Sequence, residues 1–223
     1  MNSIKIEPKY KSSNNPKVGL IALATDFMIE GDFIKVIKDM DIDFFVNRIH
    51  CHSPLTSENL IKMSNTITEV SNDILPDEKL DCIAYGCTSG TIAAGYDAIK
   101  KKVELAKSEA KVTTPSTAAI NALKKMNISK VSIFTPYSKK LNDEVVDYFK
   151  KENFTVSSNA YFDILIDRDI AKIDPEYLYK VILNMDLGDA EAVFLSCTNL
   201  PALSIIEKLE KKLNKTVLSS NQV

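Results

Sequence analysis

Several absences narrow the classes of protein to which this chain can belong. Its 223 residues contain no apolar run of about 18, so the sequence predicts no membrane-spanning helix. The formal net charge is only −2, and arginine occurs only as Arg48 and Arg168, which argues against nucleic-acid binding. Residues 1–17 are polar, lack the apolar stretch of a signal peptide and are interpreted as a leader. With only four cysteines, the chain is therefore expected to be a cytoplasmic protein with reduced thiols.

Metal-ligand spacing is also missing. The cysteines form no Cys-x-x-Cys pair, and no distal pair of histidines accompanies them. The two histidines, His50 and His52, flank Cys51, but adjacent residues of a strand point to opposite faces and cannot converge on one ion. We therefore predict no metal site and interpret residues 50–52 as a loop near the mouth of a cleft.

Alternating strand and helix patterns predict the fold class. Apolar runs such as Val18–Ala24 and Val131–Thr135 are typical of strands buried on both faces. Helical patterns separate such runs, which favours mostly parallel sheets built from βαβ crossovers. The chain length from Val18 to Cys87 nearly equals that from Val131 to Cys197, which indicates a duplication. We predict an α/β fold of two similar half-domains, each a mostly parallel sheet flanked by helices, with the active site between them: residues 18–115 and 116–223, after the leader 1–17.

Three predicted helices bear on the site. The pattern predicts a long helix from Thr56, as its N-cap, to about Leu75. It predicts two others over Thr91–Lys107 and Asn199–Leu213. Each of these two begins soon after a cysteine, so both cysteines are expected beside a helix N-terminus.

Cys87 and Cys197 are the candidate catalytic residues. Each ends an apolar run and precedes a threonine, in Gly86-Cys-Thr-Ser-Gly90 and Ser196-Cys-Thr-Asn199. Ligands bind at the carboxyl ends of the strands in open α/β sheets, so the two loops are expected to face each other across a cleft. A helix N-terminus would favour the thiolate form. The residues that follow can hold a carboxylate with hydroxyl, amide and backbone N–H donors: Thr88, Ser89, Thr198 and Asn199.

Two reactions suit an opposed pair of thiols. A thiolate can remove an α-proton while the opposite thiol returns one, which racemises the substrate. Alternatively, a thiolate can add to a carbon–carbon double bond, which rotates before the thiolate leaves, giving cis–trans isomerisation. Neither reaction needs a cofactor or a metal. The alternative is that both cysteines are small buried core residues, as we expect Cys82 to be.

Four segments carry a resemblance to a known family: Gly86-Cys-Thr-Ser-Gly90, Thr135-Pro-Tyr137, Ser196-Cys-Thr198 and Ser219-Ser-Asn-Gln222. In order and spacing they resemble the maleate isomerase and arylmalonate decarboxylase branch of the aspartate/glutamate racemase superfamily. Three further segments look closest to the ectoine-utilisation protein A subgroup of that branch: Gly19–Asp26, Val46–Ile49 and Asp167–Asp169. The resemblance implies two α/β half-domains with a small carboxylate or amino acid bound between them.

The resemblance also implies roles for single residues. Cys87 matches the nucleophilic or proton-abstracting cysteine, and Cys197 matches the opposing acid. Tyr137 matches a tyrosine that hydrogen-bonds a substrate carboxylate. The loops that bind the two carboxylate oxygens are matched by Thr88, Ser89 and Thr198. Arylmalonate decarboxylases lack the first cysteine, so its presence here favours an isomerase or racemase.

Asp26 departs from the maleate isomerase pattern, which has asparagine at this position. Since an aspartate would repel a second carboxylate, we expect Asp26 to face a substrate that bears nitrogen. The alternative is that Asp26 caps the following helix.

Two other functions stay open: a decarboxylase-like lyase with Cys197 as the proton donor, and a non-catalytic protein that binds small acids. A homodimer or larger homo-oligomer is compatible with each of them.

Overall fold

Two parallel sheets of four strands each organise the computed structural model, which describes residues 3–223. The first sheet contains β1 (Lys17–Leu23), β2 (Asp43–Ile49), β3 (Cys82–Gly86) and β4 (Lys111–Thr113). The second contains β5 (Lys130–Thr135), β6 (Thr155–Tyr161), β7 (Ala192–Leu195) and β8 (Thr216–Ser219). The strand orders are β2-β1-β3-β4 and β6-β5-β7-β8, so the two sheets have the same topology. This confirms the predicted α/β fold of two similar parallel sheets.

The boundaries of the two half-domains and of the leader stay predictions. Residues 3–16 are exposed and form neither helix nor strand. Residues 1 and 2 of the predicted leader lie outside the described residues.

Helices flank the sheets and make the crossovers between parallel strands. They are α1 (Ile29–Ile37), α2 (Ser57–Ser64), α3 (Ile67–Asn72), α4 (Thr88–Ala94), α5 (Tyr96–Ala106), α6 (Pro115–Lys125), α7 (Lys139–Lys151), α8 (Asp167–Ile170), α9 (Pro175–Leu183) and α10 (Ile206–Leu213). The sequence pattern does not predict the single turn of α8. Within residues 3–223, no helix has the length and apolar character that crossing a bilayer requires.

The equivalent strand orders place the two cysteine loops in equivalent positions. Cys87 follows β3, which pairs with β1, and Cys197 follows β7, which pairs with β5. Parallel pairing puts the carboxyl ends of these strands at the same edge of each sheet. One hydrophobic cluster contains buried residues of both sheets, so the two halves share a core.

The predicted helix from Thr56 to about Leu75 is wrong, because the segment forms α2 and α3 with a break at Asn65 and Thr66. Thr56 caps α2 as predicted, and its hydroxyl accepts a hydrogen bond from the Asn59 amide at 3.2 Å. At the break, the Thr66 hydroxyl donates to the Met63 carbonyl at 3.1 Å. Short polar side chains compete in this way with the helical hydrogen bonds.

The two helices predicted after the cysteines also differ from the structure. The first begins earlier, at Thr88, and is divided into α4 and α5 by Gly95, whose φ of 85° suits glycine. The second is shorter, because residues 197–202 are irregular and a 3₁₀ turn, Leu203–Ile205, precedes α10. Pro201 interrupts this segment and cannot donate a backbone hydrogen bond. Only Cys87 therefore lies at the N-terminus of a helix, and the same expectation for Cys197 is wrong.

Candidate active site

Cys87 is the N-cap residue of α4. Its sulfur accepts a hydrogen bond from the Gly90 amide at 3.2 Å, and only 3 % of the residue is exposed. Burial raises the pKa of the Cys87 thiol well above its ordinary value, and this outweighs the Gly90 amide and the Ser89 hydroxyl, which favour the thiolate. Cys87 is therefore a neutral thiol in this structure, with two donors ready to stabilise its thiolate.

Cys197 lies in a strained loop at the end of β7. Its φ of 151° is a conformation that residues other than glycine rarely adopt. Burial raises the pKa of the Cys197 thiol, and the nearby Asp167 carboxylate raises it further, while a hydrogen bond from Tyr137 opposes both effects. A thiol with a raised pKa holds its proton at neutral pH, which is what a proton donor requires.

Ser220 joins the two cysteine loops. Its hydroxyl oxygen accepts hydrogen bonds from the Thr88 hydroxyl at 2.8 Å and from the Cys197 amide at 3.0 Å. A second link runs from the Thr198 hydroxyl to the Gly86 carbonyl, at 3.3 Å. The residues next to each cysteine are thus held together across the junction of the two sheets.

Tyr137 follows β5 and lies close to both thiols. The residue is buried, and its hydroxyl can hydrogen-bond both the Cys197 sulfur and the Ser89 side chain. Burial raises the pKa of the Tyr137 hydroxyl well above its ordinary value, with Cys197 and Cys87 as the next causes. Tyr137 is therefore a neutral donor in contact with both halves of the site.

Asp26 and Asn199 lie at the same junction, but most hydrogen-bonding groups of their side chains already bind other residues of the protein. One Asp26 carboxylate oxygen, Oδ1, accepts hydrogen bonds from the Met28 and Ile29 amides at 2.7 and 2.9 Å, as a helix cap does. The other, Oδ2, accepts from the Thr198 hydroxyl at 2.7 Å. These contacts are the ones expected if Asp26 caps the following helix. Contact between Asp26 and a substrate therefore stays a prediction.

Asn199 connects three segments. Its Oδ1 accepts a hydrogen bond from the Phe27 amide at 2.9 Å. Its Nδ2 donates to the Thr25 carbonyl at 3.2 Å and to the Asp167 carbonyl at 2.9 Å. Asn199 thus holds the loop after β1 and the start of α8 beside Cys197, and its predicted contact with a substrate carboxylate also stays a prediction.

Sequence reasoning missed three residues beside the thiols. Asp167 is 7 % exposed, and burial raises the pKa of its carboxyl from 3.8 to about 6. Cys51 is also buried, and burial, followed by the charge of Asp167, raises the pKa of its thiol to about 11. Tyr85 is fully buried beside Cys87, and its hydroxyl has no hydrogen-bond partner among the described residues. Asp167 lies in one of the segments that carry the resemblance, which is a signal that could have found it.

The described part of the chain, residues 3–223, contains no group of three or more His, Cys, Asp or Glu side chains arranged to hold a metal ion. Cys82, which we expected to be a core residue, is only partly buried. It begins β3, at the opposite end of that strand from Cys87.

Comparison with known proteins identifies this combination of fold and site. The chain is an enzyme of the Asp/Glu racemase-like superfamily, since named enzymes of that superfamily match nearly its whole length. Within the superfamily, it belongs to the arylmalonate decarboxylase family, whose model matches residues 82–223 and so covers both cysteine loops. It is 25 % identical to a maleate isomerase of Geobacillus stearothermophilus over 219 residues, covering 92 % of this chain and 86 % of that protein.

Solved structures show the same fold. The maleate isomerase of Pseudomonas putida S16, a variant solved with maleate, superposes with a TM-score of 0.85 at 22 % identity, covering 93 % of this chain and 88 % of that one. A Nocardia farcinica maleate cis-trans isomerase variant with a covalently bound succinylcysteine intermediate also gives 0.85, at 20 % identity, covering 93 % and 89 %. At these identities the likeness shows the fold alone.

Proposed function

We propose that the protein is a cofactor-independent isomerase or racemase in which Cys87 and Cys197 act on a small carboxylic or amino acid. The observation that carries this proposal is the contact of Ser220 with both cysteine loops. Its hydroxyl oxygen accepts hydrogen bonds from the Thr88 hydroxyl and from the Cys197 amide. Both thiols also act electrostatically on the Tyr137 hydroxyl, which supports the inference that they face one space. The maleate isomerase relatives support the proposal, as does the cysteine adduct found in one of them.

Neutral donors suit the binding of one carboxylate. The Ser89 and Tyr137 hydroxyls lie close to the thiols. The Thr198 and Thr88 hydroxyls donate to Asp26 and Ser220, so their own contact with a substrate stays a prediction. Hydrogen bonds from such donors to an ionised carboxylate are among the stronger ones in proteins. They orient a substrate so that its reacting carbon lies between the sulfurs.

Both thiols are neutral at rest, so the chemistry requires Cys87 to lose its proton to water first, giving a thiolate that the Gly90 amide and the Ser89 hydroxyl stabilise, while Cys197 keeps its proton. In isomerisation, the Cys87 thiolate forms a C–S bond to one alkene carbon while the Cys197 thiol protonates the other. After rotation about the new single bond, Cys197 takes the proton back and the C–S bond breaks.

In racemisation, Cys87 takes the α-proton and Cys197 delivers one to the opposite face. Neither sequence involves net oxidation or reduction. Isomerisation returns both cysteines to their starting protonation states, whereas racemisation leaves Cys87 protonated and Cys197 as the thiolate, which is the form that acts on the opposite enantiomer.

A decarboxylase-like lyase is the second candidate, and the family match favours keeping it. In that reaction Cys197 would protonate the carbanion that remains after loss of carbon dioxide. A non-catalytic protein that binds small acids is the third. As finer parts of our proposal, the resemblance to ectoine-utilisation protein A supports a role in ectoine breakdown, and the four free cysteines support a cytoplasmic location. A homo-oligomeric assembly is compatible with each function.

The test is a substrate screen in deuterated water, followed by proton NMR, with dicarboxylates, amino acids and N-acetyl-diamino acids. Cys87→Ser and Cys197→Ser should each lower turnover by a factor on the order of 10³ or more. The matched control is Cys82→Ser, which alters a thiol at the far end of β3 and should retain activity.

Other outcomes select the other candidates. Carbon dioxide release that needs only Cys197 would establish the lyase. Binding of an acid without turnover or deuterium incorporation would establish the binding protein. Full activity in both active-site variants would refute any thiol mechanism.

A further inference from the structure

Tyr85 and Cys87 point to the same face of the first sheet. Tyr85 lies in β3, and Cys87, directly after this strand, keeps an extended backbone with φ of −145° and ψ of 109°. Since side chains alternate along an extended strand, residues two apart share a face. The packing agrees, because both residues belong to the larger hydrophobic cluster, whereas Ala84 belongs to a smaller one. The Tyr85 side chain therefore lies alongside the Cys87 thiol.

Two distances around Gly90 bring the Tyr85 hydroxyl close to the Cys87 sulfur. A Cβ atom added at Gly90 would lie 2.7 Å from the sulfur and 3.0 Å from the hydroxyl oxygen. Both atoms thus border the one small space that the absence of a side chain at Gly90 leaves open. Tyr85 is 0 % exposed and Cys87 is 3 % exposed, so bulk water does not solvate either group.

The Tyr85 hydroxyl is also unused by the folded protein. Among residues 3–223 it has no hydrogen-bond partner. A buried polar group without a partner is costly, and in a native protein it calls for an explanation. A neutral thiol is only a weak acceptor, whereas a thiolate carries a charge and accepts a hydrogen bond from a hydroxyl group strongly. The hydroxyl is therefore placed to serve the ionised form of Cys87.

The Cys87 thiolate needs such a donor. The Gly90 amide donates to the sulfur at 3.2 Å, and the Ser89 hydroxyl also favours the thiolate. Burial nevertheless keeps the thiol neutral, so these two donors do not offset the lost contact with water. The second half offers a contrast, because Leu195 stands two residues before Cys197 and has no side-chain group to donate.

We propose that the Tyr85 hydroxyl donates a hydrogen bond to the Cys87 thiolate and positions it for reaction. This inference rests on the proposed function of the two cysteines and adds to it a positioning residue that acts through Cys87. When Cys87 loses its proton to water, the O–H bond of Tyr85 turns toward the sulfur. No covalent bond forms or breaks at Tyr85, which keeps its proton throughout.

Three other titratable groups face Cys87. Cys51 after β2 and Asp167 in α8 oppose the thiolate by their charges, and Tyr137 after β5 is a neutral hydroxyl. All three are the same in the wild type and in a variant of Tyr85. A comparison of these two proteins therefore isolates the effect of the Tyr85 hydroxyl.

The experiment measures the rate at which iodoacetamide alkylates each cysteine at pH 7, 8 and 9, by mass spectrometry of the digested protein. Tyr85→Phe keeps the ring and removes only the hydroxyl. It should lower the rate at Cys87 at least tenfold at every pH, because only the thiolate reacts and a smaller fraction of Cys87 is then ionised. The rates at Cys51 and Cys197 in the same samples should stay within twofold.

The matched control is Tyr96→Phe, which removes a hydroxyl that donates to the Val112 carbonyl at 3.0 Å and should leave every rate within twofold. Turnover gives the second measurement. With a substrate found in the deuterium screen, Tyr85→Phe should lower kcat at least tenfold and leave KM within twofold. The reason is that the hydroxyl contacts the sulfur and not the substrate.

Three results would overturn the inference. The first is an unchanged alkylation rate at Cys87 in Tyr85→Phe. The second is an equal fall at Cys197, which would indicate reduced access to the site. The third is a fall confined to Cys51, which would assign the hydroxyl to that thiol.

The two proposals fail separately. If no acid is turned over through the thiols while Tyr85→Phe still slows alkylation of Cys87, the proposed function fails and the role of Tyr85 stands. If turnover depends on the thiols while Tyr85→Phe changes neither the alkylation of Cys87 nor kcat, the role of Tyr85 fails and the proposed function stands.

Discussion

Replacing Asp167 with asparagine should stabilise the protein at neutral pH, although the residue lies in the candidate active site. Asparagine has the same shape, and its carbonyl oxygen can still accept the hydrogen bonds from Thr25 and Asn199. What the substitution removes is a negative charge that has lost most of its contact with water. The folded protein should therefore become more stable relative to the unfolded chain.

The magnitude follows from the pKa of the carboxyl. Burial, opposed by the Thr25 hydrogen bond, raises the pKa of Asp167 from 3.8 to about 6, which corresponds to about 3 kcal/mol between the folded and unfolded states. Because the folded pKa lies above the unfolded one, the unfolded protein ionises first as the pH rises. The wild type should thus lose stability between about pH 4 and pH 6 relative to Asp167→Asn, and the difference should stay constant above that range.

The assay is urea-induced unfolding of the wild type and of Asp167→Asn at a series of pH values from 3.5 to 8. The two proteins are fitted with one m-value, which is the slope of the unfolding free energy against urea concentration. Asp169→Asn is the control, and its effect on the free energy of unfolding should have the opposite sign. A hydrogen bond from Lys172 lowers the pKa of the exposed Asp169 carboxyl, so its loss should slightly destabilise the protein at neutral pH. Equal stabilities of the wild type and Asp167→Asn across the whole range would show that the carboxyl is solvated, and the argument would then be refuted.

Two further substitutions test the packing around Cys87. Tyr85→Phe should leave the free energy of unfolding unchanged or raise it by about 1 kcal/mol, because the buried hydroxyl has no partner to lose; a clear loss of stability in thermal melts would contradict this. Gly90→Ala would place a methyl group 2.7 Å from the Cys87 sulfur, so the sulfur must move, and turnover should fall by about 10²-fold. Its control, Gly31→Ala, meets nothing within 4 Å and should stabilise its helix by about 0.5–1 kcal/mol with unchanged activity.

The site could be predicted only in part. The equivalent positions of Cys87 and Cys197 were accessible because both follow apolar strands, and a strand is recognisable from a few neighbouring residues. The absence of a helix directly after Cys197 was accessible only in part, from Pro201, which cannot donate a helical hydrogen bond. The sequence does not show that the side chain of Asn199 is drawn into contacts with Thr25 and Asp167. Helical periodicity in the sequence does not reveal such competing contacts.

By itself, the sequence determined the alternation of strands and helices, the duplication and the position of a thiol after the same strand of each half. These properties depend on local periodicity and on the burial of apolar runs. Only the tertiary structure decided which carboxyl groups lie beside the thiols and what holds them there. Asp26 meets Thr198 across 172 positions of the chain, and Thr25 meets Asp167 across 142. Contacts between residues so far apart arise only when the two sheets pack together, and burial in that packed interior then raises the pKa of Asp167.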